Sequence, residues 1–404
     1  MTTNGTARPR RILILTSTFP AHKGDGTPEF VLTLAEKLAQ HDSVTVVAPR
    51  VKGGARREQI GRLEVRRFRY FPRAFEGLAD GAIMPNLRAQ PWRIIEAPTL
   101  VVAMLVAAWR TAREVDPDVV HAHWLLPAGL VAVTLRAARR TPFVLTVHGA
   151  DAYVLRGPLA IALRRLVLRR AAAVVPVSRD IAERLALPPE SAIPMGVDVD
   201  AIRAEVGARR PQPGRVLFVG RLAEKKGVDV LIDALGSVPG ASLYLGGDGP
   251  LRPELEARAQ RVLGEGRVVF LGRISRERVM QELASAAVFV IPSKIASDGD
   301  QEGTPVVLGE AMAAGVPVVA SALGGLAEHV ADGQTGMLVP PGDGDALAGA
   351  LRGLLDDPAR ADAMAREAQA RLGLLDVEQT YRRYDELLAR ALANDGAAHR
   401  PERP

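Results

Sequence analysis

The stretch Ala287–Ser321, AVFVIPSKIASDGDQEGTPVVLGEAMAAGVPVVAS, leaves few folds open to this chain. Ala287 to Ile291 is a short, apolar, branched run of the kind that forms a buried strand. Thr304 suits a helix N-cap and Pro305 the first helical position. Gly315 stands where a left-handed residue ends a helix, and Val316 to Ala320 is the next buried strand. A strand–loop–helix–strand unit of this length fits a parallel sheet with covered faces. It also carries two acids, Glu302 and Glu310, with seven residues between them. Glu302 precedes the helix, and Glu310 lies on the order of 7–8 Å along its axis. Both can face a cleft at the carboxyl ends of the strands, where open α/β sheets bind ligands. Acceptor-only carboxylates beside a positive helix N-terminus suit a ligand that is polyhydroxylated and also phosphorylated.

The same rhythm runs along the chain. Strands are expected at Ile12–Leu15, Val44–Ala48, Val119–Val120, Phe143–Val147 and Ala173–Val177, with helices near 29–39, 100–114, 129–139 and 158–171. Residues 51–90 give no clear pattern beyond alternation over Leu63–Tyr70. Ala201–Gly214, ending Pro-Gln-Pro-Gly, reads as a hinge linker. The rhythm restarts at Arg215–Val219 and continues through Ser242–Leu245, Val268–Leu271, Val288–Ile291 and Pro317–Ala320. The fold class is α/β, in two similarly sized halves. The expected domains are 1–200, a linker 201–214, a second domain 215–377, a last helix 378–393 and a tail 394–404 that reads as disordered.

Composition narrows the function. A length of 404 residues suits two domains, and 48% hydrophobic residues supply ample core. Without Cys there is neither a disulfide framework nor a thiolate metal site. The start, MTTNGTARPRR, has no apolar signal core, so a cytoplasmic location is expected. The run Ala97–Trp109 contains Pro98 and Thr99 and is too short to span a bilayer. The net charge of +6 divides unevenly: residues 1–207 hold 29 Lys+Arg against 19 Asp+Glu (+10), the remainder 23 against 27 (−4). The densest basic stretch, Arg50–Arg73, has nine cations and two Glu. It suits an anionic acceptor or peripheral contact with an anionic membrane, or is a solvated face. A nucleic-acid reading has the charge but no recognition module, and none is expected.

The frame Glu302-Gly303-Thr304-Pro305 through Glu310-Ala311-Met312-Ala313 and Gly315-Val316-Pro317-Val318 resembles the E-x7-E signature of retaining family-4 glycosyltransferases. The preceding DGDQEG is similar to members that build bacterial exopolysaccharides or lipopolysaccharides. The resemblance implies the GT-B architecture: two facing Rossmann-like domains, an interdomain cleft and a last helix returning to the first domain. It implies that Glu302 lies at the donor sugar, together with Gly303 and Thr304, and that Glu310 binds the ribose. Phe218-Val219-Gly220-Arg221-Leu222 through Lys226-Gly227 matches the family's G-R-L…K-G element, in which Arg221 and Lys226 neutralise the departing nucleotide. A forked guanidinium and a point charge are a sound pair for a diphosphate. Gly246-Gly247-Asp248-Gly249-Pro250 is similar to the family's G-x-G-P turn, and Ile274 falls where the nucleobase packs on backbone. Gly324-Gly325 with Glu328 resembles a structural turn of the family.

In the first half, Gly26 sits in a glycine-containing loop before a helix, where the backbone can approach a sugar or phosphate closely. No third glycine follows at the dinucleotide spacing, and Val44–Ala48 ends in Pro49-Arg50 rather than an acid, which disfavours a nicotinamide enzyme. His148, after its strand in TVHG, resembles the family's histidine at the donor sugar, and Asp151, three residues on, could orient it or an acceptor hydroxyl. His121-Ala122-His123 invites a zinc reading, but no second cluster completes four ligands. Asp298-Gly299-Asp300 resembles the D-x-D metal motif of the other glycosyltransferase architecture and reads here as a turn. Pro194-Met195-Gly196-Val197-Asp198 matches a linker-side N-G-V-D element except that Met195 replaces Asn.

The expectation is therefore a metal-independent hexosyltransferase without a cofactor, carrying sugar from UDP first, or GDP second, to a carbohydrate, lipid-linked or small-molecule hydroxyl. The acting residues would be Glu302, His148, Arg221 and Lys226. An epimerase on the same architecture is the rival enzyme, and a basic binding protein without activity the rival of another class.

Overall fold

The computed structural model describes residues 8–22, 29–80, 83–153 and 157–398. The first half builds a sheet from β1 (Arg11–Leu15), β2 (Ser43–Pro49), β3 (Arg57–Ile60), β4 (Leu63–Phe68), β5 (Val119–His123), β6 (Phe143–Val147) and β7 (Ala173–Pro176), ordered β3-β4-β2-β1-β5-β6-β7. All pairs are parallel except the β3–β4 hairpin, which turns at Gly61 with φ of 58°. That hairpin occupies the part of the sequence without a clear pattern. Its strand β3 is largely exposed, so no buried face imposes alternation.

The second half forms β8 (Arg215–Val219), β9 (Ser242–Gly246), β10 (Val268–Gly272), β11 (Val288–Ile291), β12 (Val318–Ser321) and β13 (Met337–Val339), ordered β10-β9-β8-β11-β12-β13 and parallel throughout. Central strands such as β5, β6, β11 and β12 are buried along their whole length, as two covered faces require. Two Rossmann-like domains in this arrangement are the GT-B fold.

The helix Val377–Ala398 returns to the first domain. Tyr384, Leu388 and Ala391 enter the core of that domain, and the Tyr384 hydroxyl lies 2.9 Å from Thr146 Oγ1 on β6. Arg10 donates both to Asp42 and to Asp385, and Lys37 pairs with Glu378, so charge fixes the same docking at its edges. This helix begins one residue before the expected 378 and continues past 393 to Ala398.

Two expectations need correction. The linker 201–214 is helical over its first part, because Val199–Val206 forms a helix capped by Asp198, which accepts from Ala201 N. Val199, Ile202 and Val206 bury the inner face of that helix, and only 207–214 is loop. The helix carrying Glu310 runs Val306–Ala313, with Pro305 extended at the N-cap position rather than Thr304. Thr304 instead donates its hydroxyl to the Val177 carbonyl of the first domain at 2.7 Å. Gly315 does close the helix, at φ of 70°.

Candidate active site between the domains

In the second sheet the chain order reverses at β8, which lies between β9 and β11, and the loops leaving β8 and β11 open into one crevice. The loop after β8 carries Arg221 and Lys226, and the loop after β11 carries Glu302. The Lys226 ammonium donates to Glu302 Oε2 at 3.0 Å, and Lys225 lies 3.5 Å from Oε1. Burial alone would push the Glu302 carboxyl up, but Lys226 and Lys225 outweigh it and hold the group down at about 2. Arg221 is partly buried, and its Nε meets no hydrogen-bond partner among the described residues. Burial and the nearby charge of Arg273 both push its pKa down, against weaker support from Asp80. A partly desolvated guanidinium with no ion pair among the described residues is poised for an anion.

The glycine turns at the ends of β8, β9 and β10 interlock beneath these cations. Gly220 N donates to the Gly246 carbonyl at 2.8 Å, and Gly247 N to the Gly272 carbonyl at 2.7 Å. Gly247 has φ of 128°, and a Cβ there would come within 1.9 Å of Gly220 O, so only glycine fits. Ile274 lies over the same turn: a Cβ on Gly246 would stand 2.6 Å from its Cδ1.

Glu310 occupies a second corner. It is held 3.9 Å from Arg276, which also faces Glu29 and Glu205. Burial pushes the Glu310 carboxyl up, Arg276 opposes this, and Glu29 and Glu205 add to the rise. These groups line a cavity of about 320 Å³ that also includes Phe30 and Val306. Phe30 connects the corner to His148, since the two rings are 5.1 Å apart.

His148 follows β6, packs against Trp124 at 4.5 Å, and shares a 3.2 Å hydrogen bond with His123. The next residue, Gly149, abuts the opposing loop: a Cβ there would lie 3.3 Å from Gln301 O and 3.4 Å from Gly303 N. His148 and Glu302 therefore flank the same seam between the domains. Gly303 and Thr304 complete that seam against Val177 and Ile181. Gly324 and Gly325 support it from below, and Glu328 accepts from the Arg179 and Asp180 amides, the structural role expected of that turn.

Gly26 lies outside the described residues. Asp151 is on the helix Gly149–Tyr153, and its side chain is likewise outside them. His121 and His123 are buried in β5, bonded to Thr146 and His148, and no three His, Asp or Glu side chains among the described residues are placed to hold one metal ion. Asp298 and Asp300 pair with Arg88 of the first domain, and Asp300 also with Lys225. Sequence reasoning missed Lys225, Phe30 and Arg276. Lys225 had a signal in the doubled lysine of EKKG, where a 3₁₀ turn lets neighbouring side chains diverge toward one target. Arg276 had none, because its meeting with Glu310 depends on how two distant helices pack.

The family described as Glycosyltransferase Family 4 matches residues 24–201, and that described as Glycosyl transferases group 1 matches 213–357. A GDP-mannose-dependent alpha-(1-6)-phosphatidylinositol monomannoside mannosyltransferase of Mycolicibacterium smegmatis is 30% identical over 375 residues, 87% of this chain and 91% of that protein. A glycogen synthase of Mycobacterium tuberculosis is 36% identical over 284 residues, covering 65% of this chain and 66% of the synthase, just under two thirds of its length. Among solved structures, Anabaena HepE in complex with UDP and glucose superposes with a TM-score of 0.70 at 23% identity, over 94% of this chain and 99% of that one.

Proposed function

Because the chain belongs to glycosyltransferase family 4, we propose that it transfers a hexose from a nucleoside diphosphate sugar to an acceptor hydroxyl with retention of anomeric configuration. The observation that carries this is the charged seam of Lys226 on Glu302 at 3.0 Å, on the loop that also carries Arg221, whose Nε meets no hydrogen-bond partner among the described residues. The bond from the anomeric carbon to the β-phosphate oxygen breaks with its electron pair leaving on the phosphate. Arg221 and Lys226 stabilise that charge in a preorganised site. The acceptor oxygen bonds the same face of the sugar, and its proton passes to the departing phosphate oxygen. Glu302 and His148 position the sugar, Glu310 takes the ribose, and Gly247 and Ile274 leave room for phosphate and base. Asp151 is assigned to the acceptor side. Two cations do the work a metal would do, so transfer proceeds in a chelator.

UDP is the donor nucleotide proposed first, with GDP second because the relative matched over 91% of its length is named as GDP-mannose-dependent. A thermal-shift panel of nucleotides and nucleotide sugars tests this, since a ligand bound to the native state raises its melting temperature. No shift with any nucleoside diphosphate would overturn the assignment. Incubation with labelled donor and no acceptor separates transfer from epimerisation, which alone changes the sugar's configuration at high turnover.

The acceptor class proposed is a glycan or lipid of cell-surface polysaccharide synthesis, met at the cytoplasmic face of a membrane. Of the basic stretch Arg50–Arg73, Arg57, Arg66 and Arg67 are engaged by Glu64, Glu114 and Glu58. The segment Pro91–Val115 is long and apolar enough by composition to cross a membrane, yet Leu100, Met104, Ala108 and Ala112 bury one face of it in the first core. Its other face exposes Trp92, Ile95, Val102 and Val106, followed by Arg110 and Arg113. Apolar residues beside cations suit an anionic lipid surface, and we assign peripheral contact there. Sedimentation with phosphatidylglycerol vesicles, lost in Val102→Glu/Val106→Glu, is the expected result.

A further inference from the structure

A row of three histidines lies behind the seam. His121 and His123, two residues apart on β5, are wholly buried, while His148 keeps 8% of its surface exposed. Their rings follow one another, His121 tilted against His123 at 4.3 Å and His123 stacked on His148 at 5.5 Å. His121 Nε2 lies 2.8 Å from Thr146 Oγ1, which in turn meets the Tyr384 hydroxyl. Phe30 and Trp124 also pack against the His148 ring, at 5.1 and 4.5 Å.

We propose that His123 is a positioning residue that fixes the tautomer of His148, so that His148 carries its proton on Nδ1 and presents a donor to the sugar. This rests on the reading of His148 as a donor-sugar contact. Burial keeps all three rings neutral: His121 and His148 are pushed down to about 3, and His123 well below its usual range. Each ring therefore holds one proton, and the 3.2 Å bond between His123 Nδ1 and His148 Nε2 contains one of them. If His148 donated, the proton of His123 would sit on Nε2, which is buried with no hydrogen-bond partner among the described residues. An orphaned buried N–H is rarer and costlier than an orphaned lone pair. If His123 donates from Nδ1, its Nε2 is only an unused acceptor, and His148 is left protonated at Nδ1. The second arrangement is favoured, and it makes the ring a hydrogen-bond donor to a sugar oxygen rather than an acceptor.

Nitrogen-15 histidine labelling of the full chain with long-range proton correlation reads the tautomer directly. The expected spectrum shows Nδ1 of His148 protonated and Nε2 unprotonated, and the reverse pattern overturns the proposal. In kinetics, His123→Phe keeps a ring and removes the donor, whereas His123→Asn restores an N–H near the Nδ1 position. The phenylalanine variant is expected to lose roughly tenfold in kcat/KM for the donor sugar, the worth of about one hydrogen bond, with UDP affinity unchanged. Recovery of most of that loss in His123→Asn supports the role. Wild-type donor kinetics in His123→Phe contradict it. The tautomer measurement needs no nucleotide, so failure of this inference and failure of the transferase assignment give different results.

Discussion

Lys226 reaches Glu302 from a turn seventy-six residues earlier in the chain, and the 3.0 Å contact between them joins the loops of two adjacent strands, β8 and β11. A buried carboxylate that already holds a lysine keeps that lysine extended and oriented before any ligand arrives. The cation is thus arranged in advance for a diphosphate, which is the condition under which electrostatic stabilisation is most effective.

Lys226→Ala is expected to lower kcat by about 10²–10³, the usual effect of deleting one charge-stabilising donor. Steady-state kinetics with saturating nucleotide sugar would measure it, and circular dichroism would check that the fold survives. Near-normal turnover would remove Lys226 from the leaving-group role.

Glu310→Gln acts on binding rather than on the reacting bond. Loss of a charged contact to the ribose should raise KM for the donor by roughly tenfold while kcat changes little. An equal fall in kcat and kcat/KM would instead place Glu310 at the reaction centre.

The two acids should also separate in pH. Glu310 is raised above its ordinary 4.5, whereas the lysines hold Glu302 at about 2. As pH falls, Glu310 therefore takes up a proton first, and nucleotide affinity should drop before Glu302 is touched. Calorimetric titration with UDP across the acid range would show one step, abolished in Glu310→Gln.

Stability should follow a different acid limb. The folded pKa values of His121 and His148 lie near 3 against an unfolded value of 6.5, so only the unfolded chain binds protons between those limits. Stability from this source is complete above pH 6.5 and is lost as pH falls, at up to about 1.4 kcal/mol per unit and per histidine. Glu302 contributes in a lower window, fully present above 4.5 and lost toward 2. Urea unfolding between pH 7 and 5 should therefore show falling stability, with a shallower slope in His121→Asn.

Gly247→Ala should disrupt the turn beneath the diphosphate site, because its Cβ would lie 1.9 Å from Gly220 O in a backbone conformation that suits glycine alone. Weakened nucleotide protection in thermal shift is expected, together with a lower melting temperature.

Most strand positions and the acids of the seam were legible where residues act locally. Gly220, Gly247 and Gly315 announce turns, and the E-x7-E spacing places two acids on one loop and one helix. What escaped reading depends on contacts between distant segments. Thr304 looks like an N-cap in isolation, but its hydroxyl finds the Val177 carbonyl across the cleft, and a tertiary acceptor displaces the local one. Arg276 and Phe30 join the site only because their helices pack beside Glu310 and His148. The helix Val199–Val206 runs into the expected linker 201–214, whose Pro-Gln-Pro-Gly end dominates the stretch, although Asp198 is an ordinary capping residue.

The return of Val377–Ala398 has a consequence for synthesis. Tyr384, Leu388 and Ala391 reach the ribosome's exit long after the strands they cover, so the nascent first domain waits with an open apolar groove while the second is made. This closing helix comes from the far end of the second domain, and a chain cut short of it would leave that groove without its lid and lose the Lys37–Glu378 and Arg10–Asp385 pairs.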